Sequence, residues 1–361
     1  MDNGIKIGLL YGGPSYEHAV SCRSASNVAL QLIKLGYKVI PIAIDSLGRW
    51  SIQKLSDQLV ATYRLEEEVL LSSSQGLIYK NKKLDVDTIF PVTHGYGGED
   101  GRLQGLLDLM KLPYVGSNQK ASTIAMHKEL AKMVVKESHI ATLPFVTVDE
   151  NYDMEELLKN IKEKVGLNIL LKPEDGGSSI GVKPLFDVDK TKLSVALQFV
   201  FKYTDKIIIE PLLTDFVELE CAILAENSSV IGSLPGQVIN PKGVDELFLS
   251  YEQKYLSSQS AYIKVPADFE NSVLHSVSDL AIEIGRLIGI KGYARVDFLY
   301  EPKENLIWFN EINTLPGMTT KSHFPLLASS CGYDWSRLIP FLVDESLKRP
   351  KKENLYFDEF K

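Results

Sequence analysis

Apolar residues crowd positions 5–11, IKIGLLY, and the run ends abruptly at Gly12-Gly13-Pro14-Ser15. Beyond that turn Ala25, Val28, Ala29 and Leu32 recur at helical spacing as far as Gly36, and 37–45, YKVIPIAID, is a second apolar run. Unbroken apolar runs mark strands buried on both faces, so strand, glycine turn, helix and strand predict a βαβ unit on a parallel sheet. The plan returns at 87–95, DTIFPVTHG, and 101–117, GRLQGLLDLMKLPYVGS, predicts a helix followed by a short strand. Residues 1–117 therefore read as an α/β domain whose loops at the strand C-termini face a ligand.

Over 121–137 apolar residues at 124, 130, 134 and 135 predict a helix, followed by strands at 143–148, 168–173 and 205–213. A third block starts near 214 and holds strands at 218–224 and 229–239, a helix at 276–290, and a strand pair at 293–300 and 305–313. Domains are thus placed at 1–117, 118–213 and 214–361. The stretch 243–262 is polar and aromatic without periodicity, which predicts a functional, mobile loop.

With 361 residues, 45% hydrophobic and 24% charged, the chain is an ordinary globular protein of two or three domains. A net charge of −8 argues against a nucleic-acid or anionic-membrane partner, so any phosphate must meet a local basic site. Cys22, Cys221 and Cys331 are odd in number and far apart, which predicts free thiols in a reducing cytoplasm. Neither a secretory leader nor an apolar run of about 18 residues is expected.

The strand pair carries the most pointed chemistry. Asp297, Glu311 and Asn313 interrupt apolar runs with hard oxygen ligands, a set that holds Mg²⁺ against nucleotide phosphates. The plainer alternative is a structural ion pair with Arg295, and the strands alone do not choose. In 170–182, LLKPEDGGSSIGV, Lys172 precedes a glycine loop whose N–H groups, with Ser178 and Ser179, could cradle phosphate; a hairpin turn explains it equally. Glu210 to Leu213 could offer backbone groups to an adenine edge and Glu218 a carboxylate to ribose, though solvated glutamates are the plainer reading.

Seven segments in order, GGPSYEHAVS, HGYGGEDGRLQGLLDLMKLPYVGSN, LLKPEDGGSSIGV, IIIEPLL, YEQKY, ARVDF and NEINTLPGMTTKS, resemble the D-alanine:D-alanine ligases of the ATP-grasp superfamily across nearly the whole chain. The resemblance implies a mixed α/β and α+β fold: a three-domain ATP-grasp enzyme with a Rossmann-like N-terminal domain. It implies ATP held by Lys128, Lys172, Ser179, Glu210, Pro211, Leu212, Leu213, Glu218 and Lys254. Two Mg²⁺ ions, with Mn²⁺ able to substitute, fall to Asp297, Glu311 and Asn313. Arg295 and the Gly317 N–H become oxyanion donors, and Glu17, Ser178 and Tyr255 a set that closes loops over the substrates. Val20 and His94 line the first D-alanine pocket, and Ser322 with His323 takes the second substrate.

The implied reaction joins two D-alanines through an acyl phosphate for peptidoglycan synthesis, in the cytoplasm and as a homodimer. Family members commonly carry leucine or methionine at the position of His323; its imidazole could alter acceptor preference, or point away and leave only its N–H in use. D-serine or D-lactate as second substrate, and a silent ATP-grasp binding module, stay as alternatives.

Overall fold

Strand β1 (Lys6–Gly12) is buried from Ile7 onward, as the absence of polar alternation requires. In the computed structural model, which describes residues 4–226, 229–240 and 261–349, β1 pairs in parallel with β2 (Lys38–Ile44) and with β7 (Thr88–Pro91). Strand β3 (Trp50–Ile52) adds antiparallel to β2 at the edge. Helix α1 (His18–Lys34) packs on this sheet through Val28, Ala29 and Leu32. A small antiparallel sheet of β4 (Val69–Ser72), β5 (Gly76–Tyr79) and β6 (Lys82–Lys83) lies between β3 and β7 in sequence. The expected helix follows as α2 (Arg102–Leu109), but the expected strand after it is reduced to a single parallel bridge from Tyr114 to Ile89.

The single helix expected over 121–137 is two, α3 (Gln119–Met126) and α4 (Lys128–Glu137). His127 between them is extended, with φ −84° and ψ 102°. Glu174 accounts for the break, because its carboxylate engages His127 Nδ1 at 2.6 Å while its backbone carbonyl accepts from the Lys128 N–H at 3.0 Å. A tertiary contact overrides the local helical preference and sets Lys128 at the first turn of α4.

Strands β8 (Val146–Asp149), β9 (Ile169–Pro173), β10 (Lys183–Leu185) and β11 (Lys206–Pro211) form a sheet in the order β10-β9-β11-β8, antiparallel throughout. Helices α5 (Met154–Lys164) and α6 (Lys190–Val200) bury Leu157, Ile161, Leu193 and Leu197 in its core, an α+β layer rather than a parallel one.

The third sheet runs β15 (Tyr262–Lys264), β14 (Gly236–Ile239), β12 (Val217–Glu226), β16 (Gly292–Glu301), β17 (Leu306–Asn313), with β13 (Ser229–Gly232) also on β12. The strand expected over 229–239 is therefore two, split around Ser233-Leu234-Pro235, where proline lacks the N–H a ladder needs. Helix α7 (Asn271–Ile288) covers one face of this sheet. Helices α8 (His323–Ser330) and α9 (Trp335–Leu347) share a core with the first sheet: Phe324, Leu338 and Leu342 cluster with Ile7, Leu9 and Phe90. Thr88 Oγ1 also donates to Ser346 Oγ at 2.8 Å across that junction. No helix among the described residues is long and apolar enough to cross a membrane.

Candidate active site

Antiparallel pairing of β16 and β17 sets Arg295 opposite Asn313 and Asp297 opposite Glu311, with a bulge after Asp297. The period of a strand then points Arg295 and Asp297 to one face. Arg295 grips Asp297 with two bonds of 2.7 Å, from Nε to Oδ1 and from Nη2 to Oδ2, and Asn313 Nδ2 donates to Oδ2 at 3.0 Å. The ion pair that the sequence leaves as the plainer alternative is present. It does not satisfy the site: burial, with Glu220 and Glu311 nearby, pushes the Asp297 carboxyl up to about 7 against the pull of Arg295.

A carboxyl that cannot hold its charge comfortably beside two further carboxylates marks a place short of positive charge. Its donors are hard oxygens, which fit a divalent cation of the Mg²⁺ class. Among the described residues no group of three His, Cys, Asp or Glu side chains is arranged to hold a metal ion by itself. Two acids and an amide suit an ion that takes its remaining ligands from phosphate and water.

Glu220 is absent from the sequence-based expectations. It lies on β12 opposite Asp297 and is buried. Its Oε2 stands 2.9 Å from His323 Nδ1 and 3.3 Å from Arg295 Nε. Alternation along VELECAIL, which puts Glu218 and Glu220 on the same face, was the available signal. The His323 side chain is thus engaged by Glu220.

The facing wall is cationic. Glu210 is 1% exposed and lies between Lys132 Nζ at 2.6 Å and Lys172 Nζ at 2.7 Å. Burial works to raise this carboxyl, but the two ammonium groups hold it down to about 2. The Lys132 ammonium is pulled below its usual range by burial, partly offset by Glu210. Lys172 also donates to Asn310 Oδ1 at 3.2 Å, tying β9 to β17. The Glu210 carboxylate is thus turned inward, the Leu212 N–H is bonded to Asn168 O at 3.0 Å, and Pro211 has no N–H to offer. Lys132 was missed; on a helix nothing local distinguishes it from a solvated lysine.

Lys128, which helical position alone would leave in solvent, is buried, bonds the Gly176 carbonyl and stands 3.7 Å from Glu311 Oε2. The glycine loop joins β9 to β10, so it is also the hairpin connection that its composition allows. Ser178 (φ 51°), Ser179 (φ 58°) and Gly181 (φ 74°) all occupy the left-handed region. Two serines held there is strained backbone, a conformation that recurs at ligand sites as well as in turns. Lys128, Lys172, Gly176, Ser179, Glu218, Asp297 and Glu311 line one cleft between the second and third sheets.

Glu17, half-buried at the start of α1, accepts a hydrogen bond from Ser178 Oγ. Burial first, then the charge of Glu99, raises its carboxyl above the usual range. Val20 and His94 are buried near it, and His94 Nδ1 donates to Leu315 O at 2.8 Å. Burial alone would lower that imidazole, but the carboxylates of Glu99 and Glu17 hold it above the ordinary range.

The turn that follows β17 is clamped from α1. The Met318 N–H donates to Ser24 Oγ at 3.3 Å and Asn27 Nδ2 donates to Met318 O at 2.8 Å. A Cβ on Gly317 within it would stand 2.9 Å from Ser322 Oγ and would displace that hydroxyl. Ser322 Oγ in turn accepts from the Thr319 N–H at 3.0 Å and lies 2.8 Å from Thr319 Oγ1. Ser24 and Asn27 were not anticipated, because their target is a backbone far away in sequence. Lys254 and Tyr255 lie outside the described residues.

A family model described as "D-ala D-ala ligase N-terminus" matches residues 6–117, and one described as "D-ala D-ala ligase C-terminus" matches 134–344. The chain is 34% identical to the D-alanine–D-alanine ligase of Caldicellulosiruptor bescii over 98% of its length and 99% of that protein. It is 35% identical to that of Blochmanniella floridana over 98% of its length and all of that protein, 100%. Among solved structures it resembles the D-alanine–D-alanine ligase from Coxiella burnetii, with TM-score 0.80 and 28% identity over 95% of each chain. The VanG D-Ala:D-Ser ligase from Enterococcus faecalis gives TM-score 0.81 and 28% identity over 95% of this chain and 99% of that one.

Proposed function

Because the chain belongs to the D-alanine–D-alanine ligase family, an enzyme family that makes D-alanyl-D-alanine for peptidoglycan at the expense of ATP, we propose that its two cleft walls divide the work of that reaction. Lys128 and Lys172 neutralise the nucleotide phosphates, with the glycine loop and Ser179 donating to their oxygens. Glu210 to Leu213 border the adenine, Glu210 through its hold on Lys172, and Glu218 accepts from ribose. Asp297, Glu311 and Asn313 hold the divalent metal, two Mg²⁺ ions in this reading. When bound, the metal offsets charge on the transferring phosphoryl group.

In the first step a carboxylate oxygen of the first D-alanine attacks the γ-phosphorus, the bond to the β–γ bridging oxygen breaks, and ADP leaves. Glu17 receives the ammonium of that D-alanine; an arriving cation restores the charge that burial disfavours on this carboxyl. Val20 and His94 wall the pocket. In the second step the amine of the acceptor D-alanine attacks the acyl carbon, a proton leaves the nitrogen, and inorganic phosphate departs. Arg295 and the Gly317 N–H face the developing oxyanion, and Ser322 takes the acceptor carboxylate. Glu17 and Ser178, together with Tyr255, close over the acyl phosphate and exclude water. Lys254 reaches the transferred group. The enzyme works as a cytoplasmic homodimer in this proposal.

The observation that carries the assignment of roles is the meeting of the walls, where Lys128 Nζ comes within 3.7 Å of Glu311 Oε2. A phosphate-binding cation beside a metal-binding carboxylate is the arrangement that a metal–nucleotide complex needs. The test incubates the protein with ATP, Mg²⁺ and D-alanine, alone or with D-serine or D-lactate, follows ADP release and identifies products by mass. D-alanyl-D-alanine in equal amount to ADP is expected. No ADP with D-alanine would overturn the reading, and a mixed dipeptide or depsipeptide as main product would change the acceptor.

A further inference from the structure

Arg295 is held from two sides. Its own strand supplies Asp297, and β12 supplies Glu220, whose Oε2 is 3.3 Å from Arg295 Nε. The same oxygen is 2.9 Å from Nδ1 of His323, the first residue of α8. One carboxylate oxygen therefore lies between the guanidinium read as oxyanion donor and an imidazole adjacent to Ser322, the residue read as acceptor site.

We propose that Glu220 and His323 are a positioning pair for Arg295 in the second half-reaction. The inference rests on the proposed ligase reaction and goes beyond it, because neither residue need touch the nucleotide or the acyl phosphate. A buried carboxylate with several rotamers fixes a guanidinium only if it is itself fixed, and His323 Nδ1 supplies that second bond. Because His323 begins α8 immediately after Ser322, a displacement of the acceptor serine is carried to Glu220 and on to Arg295. The pair thereby ties acceptor binding to oxyanion stabilisation.

If Arg295 is misaimed, amine attack slows while phosphoryl transfer continues, and water attacks the acyl phosphate instead, returning D-alanine and phosphate. The experiment compares full-length wild type, His323→Leu, His323→Asn and Glu220→Gln, measuring dipeptide formed per ADP released, kcat, and KM for ATP. Asparagine carries its Nδ2 at the same distance from the backbone as the histidine Nδ1. His323→Leu and Glu220→Gln should lower dipeptide-forming kcat on the order of tenfold, the effect of one hydrogen bond to a charged group. Dipeptide per ADP should fall below one while KM for ATP is kept, and His323→Asn should recover most of the loss. Wild-type ratios in His323→Leu, or equal damage from leucine and asparagine, would overturn the positioning role. A wild-type protein that releases no ADP would instead overturn the ligase reading, so the two failures are distinct.

Discussion

Two carboxylates on opposite walls of the cleft are buried to a similar depth, yet their surroundings drive them in opposite directions. Glu210 has an ammonium on each oxygen, at 2.6 and 2.7 Å, and is held down to about 2. Asp297 has one guanidinium, which it shares with Glu220, and Glu311 close by, and it is pushed up to about 7. Burial costs both, so burial alone cannot tell a structural acid from a functional one; the balance of neighbouring charge does. Around Glu210 cations exceed anions, and the surplus faces the cleft through Lys172 as a phosphate site. Around Asp297 anions exceed cations, and the deficit is what a divalent ion would fill.

The contrast is broken most sharply at Glu311. Outer-shell partners of a metal are worth about 10- to 100-fold, so removing a proposed ligand by Glu311→Gln should lower kcat/KM at least about 10²-fold. Unchanged circular dichroism and thermal midpoint would show that the fold survives, and a fully active variant would refute the metal assignment. Next comes stability. Glu210→Gln leaves the buried Lys132 ammonium, with that of half-buried Lys172 beside it, without a counter-charge and should cost about 3–5 kcal/mol in denaturant unfolding. At pH 4, where the folded Asp297 carboxyl carries its proton, Asp297→Asn should change metal-free stability by less than about 1 kcal/mol, since it replaces a group that is already uncharged there. Similar losses at both positions would erase the distinction.

The smallest effect is in pH. Asp297 binds its proton more tightly in the folded chain than in the unfolded one, so its contribution to metal-free stability is full below the ordinary carboxylate range and is lost as pH rises through about 7. The Glu210 shift has the opposite sign: its contribution is present above the ordinary carboxylate range and is lost only as pH falls toward about 2. Thermal midpoints measured from pH 4 to 8 without metal should therefore decline in wild type, be flatter in Asp297→Asn, and recover on adding Mg²⁺. A wild-type profile parallel to that of the variant would remove Asp297 as the cause.

Much of this was legible in the chain because strands and glycine turns are local. The pairing of β16 with β17, the 302–305 turn between them and the glycine loop follow from periodicity and turn chemistry. What escaped depends on partners distant in sequence. The break at His127 exists because Glu174 binds there, Lys132 is buried because Glu210 waits for it, and Asn27 is recruited by a carbonyl at Met318. Helical spacing could not announce any of these. Glu220 differs, since strand alternation did place it beside Glu218, and only the facing Asp297 gave that placement meaning.

The core shared by the first sheet and the last helices also governs how the chain is made. Ile7, Leu9 and Phe90 leave the ribosome long before Phe324, Leu338 and Leu342, with which they cluster. The opening βαβ unit can pair its strands early, but one apolar face must wait until Phe324, Leu338 and Leu342 have been synthesised. Nascent or truncated chains would expose that face, a hazard for aggregation that the finished enzyme conceals.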